Sequence, residues 1–237
     1  MTQVDGQAAA VRPGLPVRAG ADAVTWKDLT PEQREVVQAR EPTMLVGGGA
    51  GVGKTTTALW AARVELASPG TPPYKLVLFL TFSRTAVAQI LSRSRTVLTG
   101  IGDRVEILTF HGLAYQLVRR FGRYGGGAQS PTLRGVAESK LAVGDTDALS
   151  FDDLLPRALA LLAPGSPRRD LLLERYSLVI CDEFQDTDDQ QWQLLELLGE
   201  RARLLLLTDP NQMIYGWRPG VHPGRLTAAL ARPGPRQ

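Results

Sequence analysis

Asp182 and Glu183 stand side by side where the apolar run Leu178-Val179-Ile180-Cys181 stops. Such a run suits a strand buried on both faces, which would deliver the two acids at its carboxyl end. One carboxylate of a pair like this can hold a magnesium ion. The other can orient and deprotonate a water for attack on phosphorus. Far upstream, Gly48-Gly49-Ala50-Gly51-Val52-Gly53-Lys54-Thr55 fits the pattern G-x-x-x-x-G-K-[ST]. Its glycines let the backbone bend with N–H groups turned inward, and the helix that follows, from Thr56 onward, adds positive potential at its start. Lys54 then suits the terminal phosphates of a nucleotide, and the Thr55 hydroxyl suits its magnesium. Alone, the first motif reads as exposed acids and the second as a glycine-rich turn. Together they describe the two halves of a phosphoryl-transfer site.

These groups converge only if strands and helices bring them together. Five apolar runs, at 44–46, 75–82, 105–110, 177–182 and 203–209, alternate with helical patterns at 53–67, 84–98, 111–121 and 188–199. That rhythm predicts an α/β fold with a parallel sheet and helices on both faces. Ahead of it, Leu29-Thr30-Pro31-Glu32-Gln33 predicts a helix start, with Thr30 as cap, Pro31 in the first turn and Gln33 as capping-box partner. Residues 122–175 break the rhythm and read as a small helical insertion, with helices at 132–142, 151–162 and 168–175. The main domain is then 25–121 together with 176–220. Residues 1–24 read as a disordered tail, and 221–237, rich in proline, as a loose tail holding at most a short helix.

Composition narrows the class. The chain has 237 residues, 43% of them hydrophobic and 22% charged, with net charge +3, ordinary for a soluble globular protein. No apolar run approaches the roughly 18 residues of a membrane span, and the N-terminus lacks a basic-then-apolar signal. The single Cys181 fits a buried structural thiol and a cytoplasmic location. Charge is unevenly spread: seven arginines lie within 84–123, whereas 182–200 holds seven acids and no lysine or arginine. The basic stretch suits either a polyanion partner or an ordinary solvated helix face.

Three further motifs lie between and beyond the first two: Leu80-Thr81-Phe82-Ser83-Arg84-Thr85-Ala86, Thr109-Phe110-His111-Gly112, and Thr208-Asp209-Pro210-Asn211-Gln212-Met213-Ile214-Tyr215-Gly216-Trp217-Arg218. With Asp182-Glu183-Phe184-Gln185-Asp186-Thr187 and the phosphate loop, they occur in the order found in one family. From about Leu29 to about Gly220 the chain resembles the N-terminal ATP-binding half of UvrD/Rep/PcrA-type superfamily 1 DNA helicases, a RecA-like P-loop NTPase fold.

The resemblance implies ATP and Mg2+ as cofactors and single-stranded DNA as partner, with 3′-to-5′ polarity. By it, Gln33 would read the adenine edge, residues Gly48 to Thr56 would cradle the phosphates, Thr55 and Asp182 would hold magnesium, and Glu183 would activate water. Gln185 would couple the nucleotide site to its surroundings, and Gln212 would sense the terminal phosphate. Phe82, Arg84, Thr109, His111, Tyr215 and Trp217 would line the DNA path, the aromatic faces for base stacking and the cation for phosphate. Asp188 and Asp189 belong instead to the first turn of the next helix. Ser83, Arg84, Thr85, Thr208 and Met213 depart from the family's usual residues. In the family a second motor domain supplies an arginine against the terminal phosphate, a contribution of about 10³–10⁵ in rate. Without that domain, from a longer parent chain or another polypeptide, slow hydrolysis and no processive unwinding are expected. A nucleotide-dependent DNA- or protein-binding module, or a remnant of a disrupted helicase gene, would carry the same motifs.

Overall fold

A computed structural model of the chain describes residues 25–121, 132–134, 148–212, 219–222 and 224–231. Seven strands occur among them, β1 (Thr43–Gly47), β2 (Leu76–Thr81), β3 (Val105–Thr109), β4 (Thr132–Arg134), β5 (Ala148–Ser150), β6 (Tyr176–Cys181) and β7 (Arg203–Thr208). Five of them form one parallel sheet in the order β1-β7-β6-β2-β3. The apolar runs read from the sequence are these five strands, displaced by a residue or two at their ends. The arrangement is an α/β P-loop NTPase fold.

Eight helices are described: α1 (Pro31–Gln38), α2 (Lys54–Ala67), α3 (Arg84–Val97), α4 (Phe110–Phe121), α5 (Phe151–Leu161), α6 (Pro167–Leu173), α7 (Asp189–Leu198) and α8 (Arg225–Leu230). They cover both faces of the sheet because successive strand residues point to opposite sides. Val77, Phe79, Leu178, Ile180, Leu205 and Leu207 share one core with residues of α1, α2 and α3. Leu78, Leu80, Val179, Cys181, Leu204 and Leu206 share the other with residues of α4 to α8. A sheet buried on both faces has almost no polar positions, which is why its strands read as continuous apolar runs.

Side chains at the loop ends set where several helices begin. Thr30 accepts from the Gln33 backbone N–H, and the Gln33 side chain accepts from the Thr30 N–H at 3.0 Å. Ser83 accepts from Ala86 at the start of α3. Asp188 and Gln191 form the reciprocal box of α7, so Asp188 is its cap and Asp189 its first residue. Each contact satisfies an N–H that the helix itself leaves unpaired.

Two expectations change. A helix over 132–142 is contradicted at its beginning, since Thr132–Arg134 is a strand paired in parallel with Ala148–Ser150. Three residues carry too little periodicity to separate helix from strand, and a distant partner settles it. Residues 135–142 lie outside the described residues. At the other end of the chain, α8 is docked rather than loose. The Arg225 guanidinium donates to Asp189 Oδ1 at 2.7 Å and to the Gly220 carbonyl at 2.6 Å, while Ala229 is fully buried. A burial pattern this short is not visible among prolines. Helices α5 and α6 do occupy two of the expected helical stretches, and both contribute to the core that covers β6. Among the described residues no helix is long and apolar enough to cross a membrane.

Candidate functional site

The strand order brings three carboxyl ends together. β7 lies between β1 and β6, with Gly47 opposite Thr208 and Cys181 opposite Leu206. The phosphate loop leaves β1, Thr208-Asp209 leaves β7 and Asp182-Glu183 leaves β6, all at one edge of the sheet. The carboxyl edge of an open α/β sheet is where ligands bind.

The loop after β1 is shaped by positive φ angles at Gly51 (77°) and Gly53 (88°), a conformation unfavourable for other residues. At Gly53 space is also closed: a Cβ there would meet Gln33 Nε2 at 2.8 Å. That amide donates to the Val52 carbonyl at 3.0 Å while its oxygen caps α1. Gln33 therefore ties α1 to the phosphate loop, in addition to the capping role read from sequence. Lys54 opens α2 and folds over the loop, donating to the Gly48 and Gly49 carbonyls, with its Nζ 3.6 Å from Asp209 Oδ2. Thr55 and Thr56 follow in the first turn of α2.

At the end of β6, Asp182 is buried and its N–H donates to the Leu80 carbonyl. Burial, and then the negative charge of Glu183, push its carboxyl from 3.8 up to about 6. Burial likewise pushes the Cys181 thiol well above its ordinary value, so this cysteine is an inert core residue. Glu183 has a left-handed backbone, φ 50° and ψ 42°, which turns the chain sharply out of the strand. Phe184 then plunges into the core, fully buried, with its ring 5.4 Å from that of Trp192. Gln185 is also fully buried and uses both ends of its amide. Its Nε2 donates to Glu183 Oε2 at 2.7 Å; its Oε1 accepts from the Thr208 hydroxyl at 3.0 Å and the Asp209 N–H at 3.1 Å. A continuous chain of contacts thus runs from Glu183 through Gln185 and Asp209 to Lys54.

The donor set fits a hard divalent cation. Asp182 is a buried carboxylate beside a second acid, a position that favours either a proton or a cation. With the Thr55 hydroxyl it is the residue that would hold magnesium. A proton and a cation would compete for this carboxylate, so any gain in nucleotide binding from magnesium would weaken as pH falls through about 6. Without a cation the sign for folding is the reverse. The folded chain binds the Asp182 proton more tightly than the unfolded chain does. Its contribution to stability is therefore present at low pH and lost as pH rises from about 4 to about 6. Thermal melts at about pH 5 and about pH 7.5, with and without magnesium and ADP, check both: the combined ligands should raise Tm more at the higher pH.

The DNA-path candidates meet different fates. Phe82 is half-buried, its ring 5.5 Å from that of the buried Phe110. Arg84 is exposed at the first position of α3. The Thr109 hydroxyl accepts from the Gly112 N–H at 2.9 Å, bracing the start of α4. His111 is half-buried, 5.9 Å from the ring of Phe151. Phe151, 44% exposed at the start of α5, is an aromatic that motif reading did not single out. Its only sequence signal is an aromatic placed directly after the capping Ser150. Gln212 is exposed, and its N–H donates to the Asp209 carbonyl at 2.9 Å. Tyr215 and Trp217 lie outside the described residues.

The arginine-rich stretch is not one patch. Arg84 begins α3 at the carboxyl edge of the sheet, whereas Arg119 and Arg120 lie in the last turn of α4, about 15 Å of helix from its start. Arg104 donates to the backbone carbonyls of Leu66, Pro72 and Lys75 and holds loops together. A cavity of about 330 Å3 lies at the opposite edge, lined by residues such as Glu106, Leu117, Arg120 and Tyr176. We place the chemistry at the carboxyl edge instead, because a phosphate site is an open cradle of N–H groups and charges rather than an apolar cavity.

Comparison with known proteins agrees with this geometry. The family model for the UvrD/REP helicase N-terminal domain matches residues 29–141 and 136–228. The chain is 51% identical over 79 residues to the RecBCD enzyme subunit RecB of Mycobacterium tuberculosis (strain ATCC 25618 / H37Rv), covering 32% of this chain and 7% of that protein. It is 41% identical over 87 residues to RecB of Mycolicibacterium smegmatis, covering 36% of the chain and 8% of the relative. Against the ATP-dependent DNA helicase PcrA of Staphylococcus aureus (strain NCTC 8325 / PS 47) identity is 23% over 250 residues, 79% of this chain and 34% of the helicase. The chain thus spans about a third of the helicase and less than a tenth of either RecB.

Proposed function

The chain belongs to the UvrD/REP helicase N-terminal domain family, and on that premise we propose that it binds ATP with magnesium, hydrolyses it and contacts single-stranded DNA. The observation that carries this reading is the contact chain Glu183–Gln185–Asp209–Lys54, which joins the two phosphate-chemistry motifs through the buried Gln185 amide and the backbone N–H and carboxylate of Asp209. ATP lies with its phosphates over Gly48 to Thr56, its charge met by Lys54 and the N-terminus of α2. Glu183, held by the Gln185 amide, orients water and takes its proton. Magnesium, when bound, draws charge from the phosphate oxygens. Gln212 stands just past the exit of β7 and would meet the terminal phosphate. Gln33 meets the adenine edge once its amide turns from Val52.

Phe82, Arg84, His111 and Phe151 supply the DNA face on this reading, two aromatics and a histidine for bases and a cation for phosphate. In complete motors of this kind a second domain would supply the transition-state arginine. The 237-residue polypeptide therefore binds a fluorescent ATP analogue in the presence of magnesium but turns ATP over slowly, about 10³-fold or more below a complete motor. A titration with the analogue and a phosphate-release assay with and without oligo-dT check this. No magnesium-dependent binding of the analogue overturns the nucleotide reading; vigorous DNA-stimulated hydrolysis overturns the expected slowness.

A further inference from the structure

Asp209 is almost wholly buried, with a side chain 2% exposed. Its Oδ1 accepts from the Asn211 N–H at 3.1 Å. Its Oδ2 is buried and accepts no hydrogen bond. The cation facing that oxygen is Lys54, whose Nζ is 3.6 Å away, beyond an ordinary hydrogen bond but well within strong Coulomb range. A carboxylate so enclosed requires a compensating charge. Lys54 is the residue that the phosphate-loop pattern assigns to the nucleotide, so one ammonium faces two anionic demands.

We propose that Asp209 is a positioning residue that restrains Lys54 and competes with nucleotide phosphate for its charge, linking the phosphate loop to the turn that carries Gln212. This rests on the nucleotide-binding reading above. When phosphate draws on the Lys54 charge, the Asp209 carboxylate faces added negative charge and loses part of its compensation. That turn is short and tightly bonded: Asp209 N–H donates to Gln185, and the Asp209 carbonyl accepts from Gln212 N–H. Strain at the carboxylate therefore reaches both the residue that holds Glu183 and the one placed to meet the terminal phosphate.

The test is Asp209→Asn, which keeps shape and removes charge. It should bind a fluorescent ADP analogue with magnesium at least about 5-fold more tightly than the unaltered chain, because one opposing charge is gone. It should also lower kcat, because Lys54 loses its charged restraint and keeps only the Gly48 and Gly49 carbonyls. Thr208→Val, which cuts the neighbouring bond to Gln185 without changing charge, should not tighten binding. Melting curves confirm that each variant folds; if Asp209→Asn does not, Asp209→Ser gives the same comparison. Equal or weaker binding by a folded, charge-free variant overturns the inference. Failure of the unaltered chain to bind the analogue overturns the nucleotide reading itself, so the two failures are distinguishable.

Discussion

Glu183→Gln lowers ATP turnover by about 10²–10⁴-fold, the usual contribution of a positioned general base. Nucleotide affinity should stay within a few-fold of the unaltered chain. The amide has the size of the carboxylate and its oxygen can still accept from Gln185 Nε2, so the turn after β6 keeps its shape. What it lacks is the basicity to take a proton from water. Asp182, the residue that would hold magnesium, is untouched, and the phosphate loop lies on another strand. Single-turnover hydrolysis followed by phosphate release, beside a binding titration, separates the two quantities. A loss of less than tenfold would place the base elsewhere. Loss of binding in parallel with turnover would show that Glu183 acts in ground-state binding.

Phe184→Ala has the largest effect expected on the fold, about 3–5 kcal/mol. For a domain of this size that corresponds to a fall in Tm of roughly 10 °C. The ring is fully buried and lies against Trp192, in the core shared by β6 and α7. Truncation leaves a cavity directly behind the left-handed turn at Glu183. Turnover should therefore fall even well below the melting temperature, because the turn that aims Glu183 loses its anchor. Phe184→Leu refills most of the volume and should cost much less, about 1–2 kcal/mol. Calorimetry or circular dichroism melts of both variants check the order. Equal melting of the alanine and leucine variants would mean that the aromatic volume is not what holds this turn.

Phe184 also illustrates how far a motif can be read. In the sequence it is one letter of a run from Asp182 to Thr187 that resembles a helicase motif. In the structure five of the six residues divide their labour: Asp182 and Glu183 face the site, Phe184 anchors, Gln185 bridges to β7, and the Thr187 hydroxyl donates to the Phe184 carbonyl to close the turn. The bridging partner of Gln185 is more than twenty residues away, so no local pattern reveals it. Gln33 shows the same limit. Its capping role follows from spacing to Thr30, but its grip on Val52 depends on α1 lying beside the phosphate loop.

By itself the sequence determined the elements and the chemistry they carry. Apolar runs mark the five strands because a sheet covered on both faces excludes polar side chains. Glycines, a lysine and a threonine at fixed spacing mark the phosphate loop because only those residues suit the backbone and charge required. Capping residues mark helix starts because they satisfy N–H groups within three residues of themselves. All of these are local constraints, written within a few positions. Strand order was decided only by tertiary structure, since both faces of the central strands are almost wholly apolar and name no neighbour. Inserting β7 between β1 and β6 is what sets Asp209 against Lys54 and Thr208 against Gln185. The docking of α8 through Arg225 and the pairing of β4 with β5 likewise depend on partners distant in the chain. Such contacts are stabilised by burial and charge compensation in a shared interior, which exists only once the sheet has assembled.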